Sequence, residues 1–219
     1  VQTAKGVVTA IEKRDGLFYV VVNGEKTIIA RNAVICTGGM TYQSTGSTGD
    51  GYEFAKSFGH TVTPLTPSLV PLVSPDALCE ECMGLTLNNV RVSFEKNGKA
   101  LYAETGDMLF THFGISGPVV LSASSHLSAF PVTACIDLKI ALDAQTLDRR
   151  ILRDFSAELN RNFDNSLFAL LPQKLITPFI RLTGIDAHKK VNSITKEERA
   201  AIVRLLKRLP VEITGKRPM

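Results

Sequence analysis

A chain of 219 residues with 44% hydrophobic and 21% charged residues is ordinary for a globular protein, and its length suits one large domain or two small ones. No apolar run reaches the length of a membrane span, residues 1–5 are not a basic segment followed by the apolar core of a signal peptide, and the four cysteines do not resemble a disulfide framework, so a reducing, cytoplasmic setting is expected. The net charge of +4 is unevenly shared: residues 1–145 carry 10 Lys/Arg against 13 Asp/Glu, and residues 146–219 carry 15 against 8, so any attraction to phosphate or nucleic acid belongs to the C-terminal third, where solvated helix faces are the plainer explanation.

In chain order, Gly6 to Arg14 alternates with β-branched residues, Asp15-Gly16 is a hairpin signal, Leu17 to Val22 returns, Asn23-Gly24 turns again and Lys26 to Ala30 completes a three-stranded meander. Ala33 to Cys36 reads as a short buried strand running into Thr37-Gly38-Gly39. Thr45-Gly-Ser-Thr-Gly-Asp-Gly51 is a second glycine turn, and an amphipathic helix follows to Gly59, with Asp50 and Glu53 spaced as a capping box. Strand, glycine turn and helix start in this order can turn backbone amides toward an anion, and glycines let a ligand approach the chain.

Pro64, Pro67, Pro71 and Pro75 rule out a helix or a central strand and suggest an extended crossing between domains. Gly84 to Phe94 alternates, Asn97-Gly98 turns, Lys99 to Glu104 returns, and Asp107 to Phe110 forms a separate short strand into Thr111-His-Phe-Gly-Ile-Ser-Gly-Pro118. A short helix over Val119 to Leu127, capped by Ser116, and a strand over Val132 to Leu142 complete a β-rich unit. Helical spacing then holds over Asp143 to Asn160, Leu167 to Leu171, Leu175 to Leu182 and Lys196 to Leu209, the last with a Thr195/Glu198 capping box and stopped by Pro210. Val211 to Thr214 reads as a strand leaving this unit. A start without Met close to a strand, and a final strand with nothing after it, suggest a piece of a longer chain.

Cys79-Glu-Glu-Cys82 has redox or zinc spacing but no second ligand pair, so chance spacing on a polar loop, with no metal and no required redox pair, is expected. Cys36 and Cys135 lie on apolar strands as small core residues. His60, His126 and His188 stand singly. His112 and Ser116 share a glycine-rich turn at a strand end, where site residues gather, but the order Gly-Ile-Ser-Gly is not a nucleophile elbow. Neither G-x-G-x-x-G nor a Walker A loop occurs.

Several of these stretches resemble known proteins. The meander with Val34-Ile-Cys-Thr-Gly-Gly39 is similar to the second cofactor-contacting strand of two-dinucleotide-binding flavoproteins, with Cys36 where alanine is usual, and Thr45 to Gly59 is similar to the Thr-Gly-Asp-Gly helix near FAD in fumarate-reductase-like enzymes. With Ser68–Leu72, Gly84–Val92, Gly106–Pro118 and Ile213–Pro218, nearly the whole chain resembles the BaiN-type NAD(P)/FAD-dependent oxidoreductases, a bacterial family with aminoacetone oxidase-like members. The resemblance implies an α+β architecture: a β-barrel-like unit plus an all-helical subdomain inserted in a Rossmann-like FAD domain, of which only a meander, strand and helix remnant is present. The expected parts are residues 1–63 as that remnant, 64–145 as the β-rich insert, 146–210 as the helical subdomain and 211–219 as the start of the return.

The resemblance also implies FAD contacts at Thr37, Gly38, Gly39, Thr48, Gly49, Asp50 and Gly51, and a flavin- or substrate-facing turn at Thr111, His112, Gly114 and Ser116. The implied function is a fragment of an FAD-dependent oxidoreductase acting on a small organic substrate, with NAD(P)H as a further partner of the parent, no membrane partner and no nucleic acid. Lacking the first glycine fingerprint, the fragment is expected to be inactive alone and not to retain the cofactor. The alternative is a binding module whose basic helical part docks nucleic acid or an acidic protein.

Overall fold

The structure, a computed structural model, describes residues 2–218. It divides into a unit ending at Thr66 and a unit spanning Pro67–Pro218. Residue 219, the last of the expected return segment, lies outside the described residues.

In the first unit, β1 (Val8–Arg14), β2 (Leu17–Val22) and β3 (Lys26–Ala30) form an antiparallel meander in the expected order. Its turns need positive φ at both central positions, and Asp15-Gly16 and Asn23-Gly24 supply it at 48° and 77° and at 55° and 75°. The expected strand at residues 33–36 does not form: Val34 is 85% exposed, and no described strand lies beside it to complete a ladder. A 3-10 turn at Gln43–Thr45 leads to α1 (Asp50–Ser57). The expected Asp50/Glu53 box is absent, because Gly49 is the N-cap, the Thr48 hydroxyl donates to Asp50 Oδ1 at 3.0 Å, and Glu53 pairs with Lys56 at 2.8 Å.

The second unit begins with β4 (Leu72–Val73) and α2 (Ala77–Glu81), followed by β5 (Thr86–Lys96), β6 (Lys99–Thr111), β7 (Gly114–Ser116), α3 (Pro118–His126) and β8 (Val132–Asp137). β4 is an interior strand despite the prolines around it, since its own two residues keep their backbone donors and pair with β7. β6 is one strand of 13 residues, where the sequence suggested two. The missing beat in the apolar pattern between Leu87 and Val90 is a β-bulge, with Asn89 at φ 52° and its amide bonded to Asp107 Oδ1 at 2.9 Å.

Helices α4 (Ala144–Ala157), α5 (Phe163–Ser166), α6 (Gln173–Thr183) and α7 (Lys196–Lys207) come next. Asp143 caps α4 by accepting from the Thr146 amide at 2.7 Å, a bond that holds its carboxyl below the usual range. The Thr195/Glu198 capping box of α7 is present as expected.

The chain then returns as β9 (Leu209–Ile213) and β10 (Gly215–Lys216). The expectation that this segment leaves the unit is corrected here. β9 pairs with β8 while β10 pairs with β4, and those are the two ends of the strand order β10-β4-β7-β6-β5-β8-β9. One nearly continuous segment therefore joins both edges of the sheet and closes it into a barrel, helped by the Thr214 amide bonding Val73 O at 2.9 Å. Leu209, Val211 and Ile213 alternate inward onto the same core as Phe94, Phe110 and Ile136. Leu147, Phe163, Phe179 and Leu206 of the helical part belong to that core too, so the β part and the helical part of this α+β chain fold around one apolar interior.

Candidate functional site

In the first unit the two glycine turns lie against each other. A side chain begun at Gly51 would come within 2.5 Å of Thr37 Oγ1, one at Gly38 within 3.0 Å of Ser47 Oγ, one at Gly39 within 3.4 Å of the Tyr52 hydroxyl, and one at Gly49 within 3.0 Å of Met40 Cγ. The pairing is reciprocal: residues 35–40 run along residues 47–52, and glycine stands where the other segment needs room. Gly49 (φ 92°) and Gly38 (φ 77°) also adopt backbone that other residues avoid.

Thr37, Gly38, Thr48 and Asp50 remain exposed, whereas Gly49 is buried. Beside them lies an open pocket of about 310 Å³, lined by Met40, Thr48, Gly49, Asp50, Tyr52 and residues of the following loop. The first amides of α1 open at this edge, where a helix has unsatisfied donors and a partial positive charge. The Asp50 carboxylate adds an acceptor for hydroxyl groups. An anion flanked by a polyol suits this donor and acceptor set. The pocket lies at the small end of the ~300–1,000 Å³ typical of ligand sites, so it would hold one part of an extended dinucleotide such as FAD.

The Thr111–Ser116 turn lies in the second unit. Its tightness comes from Gly114, at φ 146°, where a Cβ would fall 2.3 Å from Leu72 O and 2.7 Å from the Ser74 amide nitrogen. The Thr111 hydroxyl donates to Gly114 O at 3.1 Å, and the Ser74 amide donates to Phe113 O at 2.9 Å. Ser116 is a strand residue opposite Leu109, and it does not cap α3, whose N-cap is Gly117. His112 is exposed at the tip, edge-on to Phe113 with ring centroids 5.0 Å apart. Arg217 lies over the same Phe113 ring, 4.7 Å from its centroid. Arg217 was not among the expected site residues. Its place at this turn depends on β10 returning beside β4, which no local pattern announces.

Three of the four cysteines depart from expectation, and Cys135 is buried on β8 as expected. Cys79 and Cys82 are not on a polar loop but on and just after α2, 1% and 0% exposed, and burial pushes both thiols up to about 11. Pro178 inside α6 has no amide to bond Lys174 O, and the Cys82 thiol donates to that carbonyl at 3.6 Å. Cys82 is thus a packing residue with a weak donor, and Cys135 is likewise buried, while Cys36, expected in the core, is exposed. No group of three or more His, Cys, Asp or Glu able to hold a metal ion occurs among the described residues. An aromatic disulfide reagent should therefore modify one thiol per folded chain, Cys36, and all four in denaturant; a second reactive thiol in the folded protein would contradict this burial.

Residues 66–219 match the HI0933-like protein barrel and H2TH domain, in agreement with the closed sheet and the helical part. Over 169 residues the chain is 30% identical to a ribosomal RNA dihydrouridine synthase of Escherichia coli, covering 77% of this chain and 40% of that protein. It is 26% identical over 194 residues to a 3-dehydro-bile acid delta(4,6)-reductase of Clostridium scindens, covering 85% of this chain and 47% of that protein. A ribosomal RNA dihydrouridine synthase of Haemophilus influenzae is 29% identical over 168 residues, covering 76% and 39% respectively. The chain thus spans about two fifths to half the length of these relatives, and no described helix is long and apolar enough to cross a membrane. With the family domain matched over residues 66–219, the chain belongs to the HI0933-like protein family.

Proposed function

We propose that this chain is part of an FAD-dependent oxidoreductase of the BaiN type, and that residues 37–51 form one wall of its flavin dinucleotide site. The observation that carries this reading is the reciprocal packing of Thr37–Gly39 against Ser47–Gly51 at the open start of α1. That surface offers amides to a pyrophosphate and Asp50 to ribityl or ribose hydroxyls. A bound, reduced flavin supplies hydride.

The relatives' names share one chemistry. A dihydrouridine synthase and a delta(4,6)-reductase each saturate a carbon–carbon double bond conjugated to a carbonyl. We therefore assign the parent to hydride addition to such a bond, with NAD(P)H as the source of reducing equivalents. Hydride goes to one carbon, and a proton must reach the other. Among the expected site residues, the exposed imidazole of His112 is the side chain we assign to that proton transfer. Thr111 and Gly114 set the turn that carries it. The family resemblance also favours a cytoplasmic protein that does not act on membranes.

The 219-residue chain alone should not hold FAD. The first glycine fingerprint, on which the pyrophosphate normally rests, is absent from its sequence, and binding must first offset roughly 4–15 kcal/mol of lost freedom. Titration followed by flavin fluorescence should show no saturation in the micromolar range. Saturable micromolar binding would mean that residues 37–51 make a far more complete site than one wall.

A further inference from the structure

The helical part carries a pocket of about 580 Å³ whose walls include Arg150, Arg153, Arg161, Asn165 and Phe168. Phe168 is 51% exposed, although Leu167, the first residue of its 3-10 turn, and Leu170, just after the turn, are 0% and 3% exposed. Those two leucines anchor the turn and leave the ring facing outward. An exposed aromatic ring held on a rigid turn is a stacking surface.

The ion pairs of these arginines differ from those of Arg181, Arg199 and Lys207. Arg181, Arg199 and Lys207 pair with Glu81, Asp148 and Asp137 on distant elements and so tie the fold together. Arg150 and Arg153 instead share Asp154, at 3.6 and 3.0 Å, and Arg161 pairs with Glu158 at 2.5 Å. These carboxylate partners are one to four residues away and leave the cluster one charge positive, and Arg150 also donates to Ala169 O at 3.5 Å, on the turn that carries Phe168. Exposed pairs of this kind contribute little to stability, so Arg153 and Arg161 can turn toward a phosphate and grip it through two hydrogen bonds, while the bond to Ala169 O holds Arg150 beside the Phe168 turn with its remaining N–H groups available.

We propose that this pocket binds single-stranded nucleic acid, with a base stacked on Phe168 and the adjoining phosphates on Arg150, Arg153 and Arg161. An acidic protein segment would use the arginines but gain little from the aromatic ring; stacking with phosphate contacts uses both. The sequence hides the arrangement because the arginines stand on one helix and the turn after it, while the ring comes from a separate turn. The proposal does not rest on the flavin assignment, since it concerns another surface and is measured without cofactor.

The test is fluorescence anisotropy of a labelled 12-residue oligouridine RNA with the 219-residue protein at 50–200 mM salt. Saturable binding is expected, with a logarithmic salt slope of about −2 for three phosphate contacts. Phe168→Ala should weaken it by about 10-fold, a loss typical of one stacked base. Arg153→Ala should make the slope shallower by about 0.7. Both side chains are exposed, and unchanged thermal unfolding of the variants would exclude misfolding as the cause. Equal binding of a labelled oligothymidine DNA of the same length supports recognition of bases and phosphates, and stronger RNA binding supports an RNA partner. The proposal is overturned by absence of saturable binding at 50 mM salt, by binding indifferent to Phe168→Ala, or by displacement of the RNA by an equal concentration of polyglutamate peptide, which would assign the pocket to an acidic protein.

Discussion

Gly114→Ala is expected to destabilise the barrel unit by about 4 kcal/mol, combining strained backbone with overpacking at a site that cannot relax. The added Cβ would lie 2.3 Å from Leu72 O, 2.7 Å from Ser74 N and 3.1 Å from Val73 C. All three atoms are backbone of β4 and the residue after it, so no side-chain rotation relieves the clash. At φ 146° the position also disfavours a side chain before any neighbour is considered. The strand that would have to move pairs with β7 on one side and β10 on the other, so the closing seam of the barrel moves with it. Gly98→Ala is the control: φ is 76° but nothing lies within 4 Å, and a loss of about 1 kcal/mol is expected. Urea unfolding of the two variants separates conformational strain from steric conflict. Equal effects would mean that β4 yields easily.

Lys207→Ala should cost about 2–3 kcal/mol, below the 3–5 typical of breaking a fully buried pair because these side chains keep some solvent. Lys207 Nζ is 2.5 Å from Asp137 Oδ2 and also donates to Lys139 O at 2.9 Å and Leu142 O at 2.7 Å. Its side chain is 23% exposed and that of Asp137 18%. One ammonium group thus ties the end of α7 to the segment joining β8 to α4. Without it, one carboxylate and two carbonyls lose a donor at a largely covered joint. Adding Asp137→Asn should recover part of the loss by removing the uncompensated charge. Arg153→Ala, which breaks only an exposed pair with its neighbour, should change stability by no more than about 0.5 kcal/mol.

What the sequence disclosed was what short-range physics controls. The paired turn residues at 15–16, 23–24 and 97–98 announce hairpins because few residues accept positive φ in succession. Leu147, Ile151 and Phe155 announce α4 by spacing, and Thr195 with Glu198 announces the start of α7. The features missed depend on partners far away in the chain. Leu209, Val211 and Ile213 alternate clearly, but nothing local says that they close a barrel against β8. Val34 and Ile35 are apolar, but an apolar run without a neighbouring strand is not a strand. Cys79 and Cys82 look polar beside two glutamates, and only the packing of α2 against α6, β6 and β7 buries them. Within the candidate site, the glycines of residues 38–51 were visible as turns. Their reciprocal packing, and Arg217 over Phe113, required the folded chain.

If these 219 residues are part of a flavin enzyme, as proposed, the flavin content of the full-length parent shows it most directly. The parent, purified without added cofactor, should be yellow and should release FAD on denaturation in a ratio approaching one per chain. A parent that is colourless as purified, and takes up no FAD at micromolar concentration, would rule out the flavin assignment.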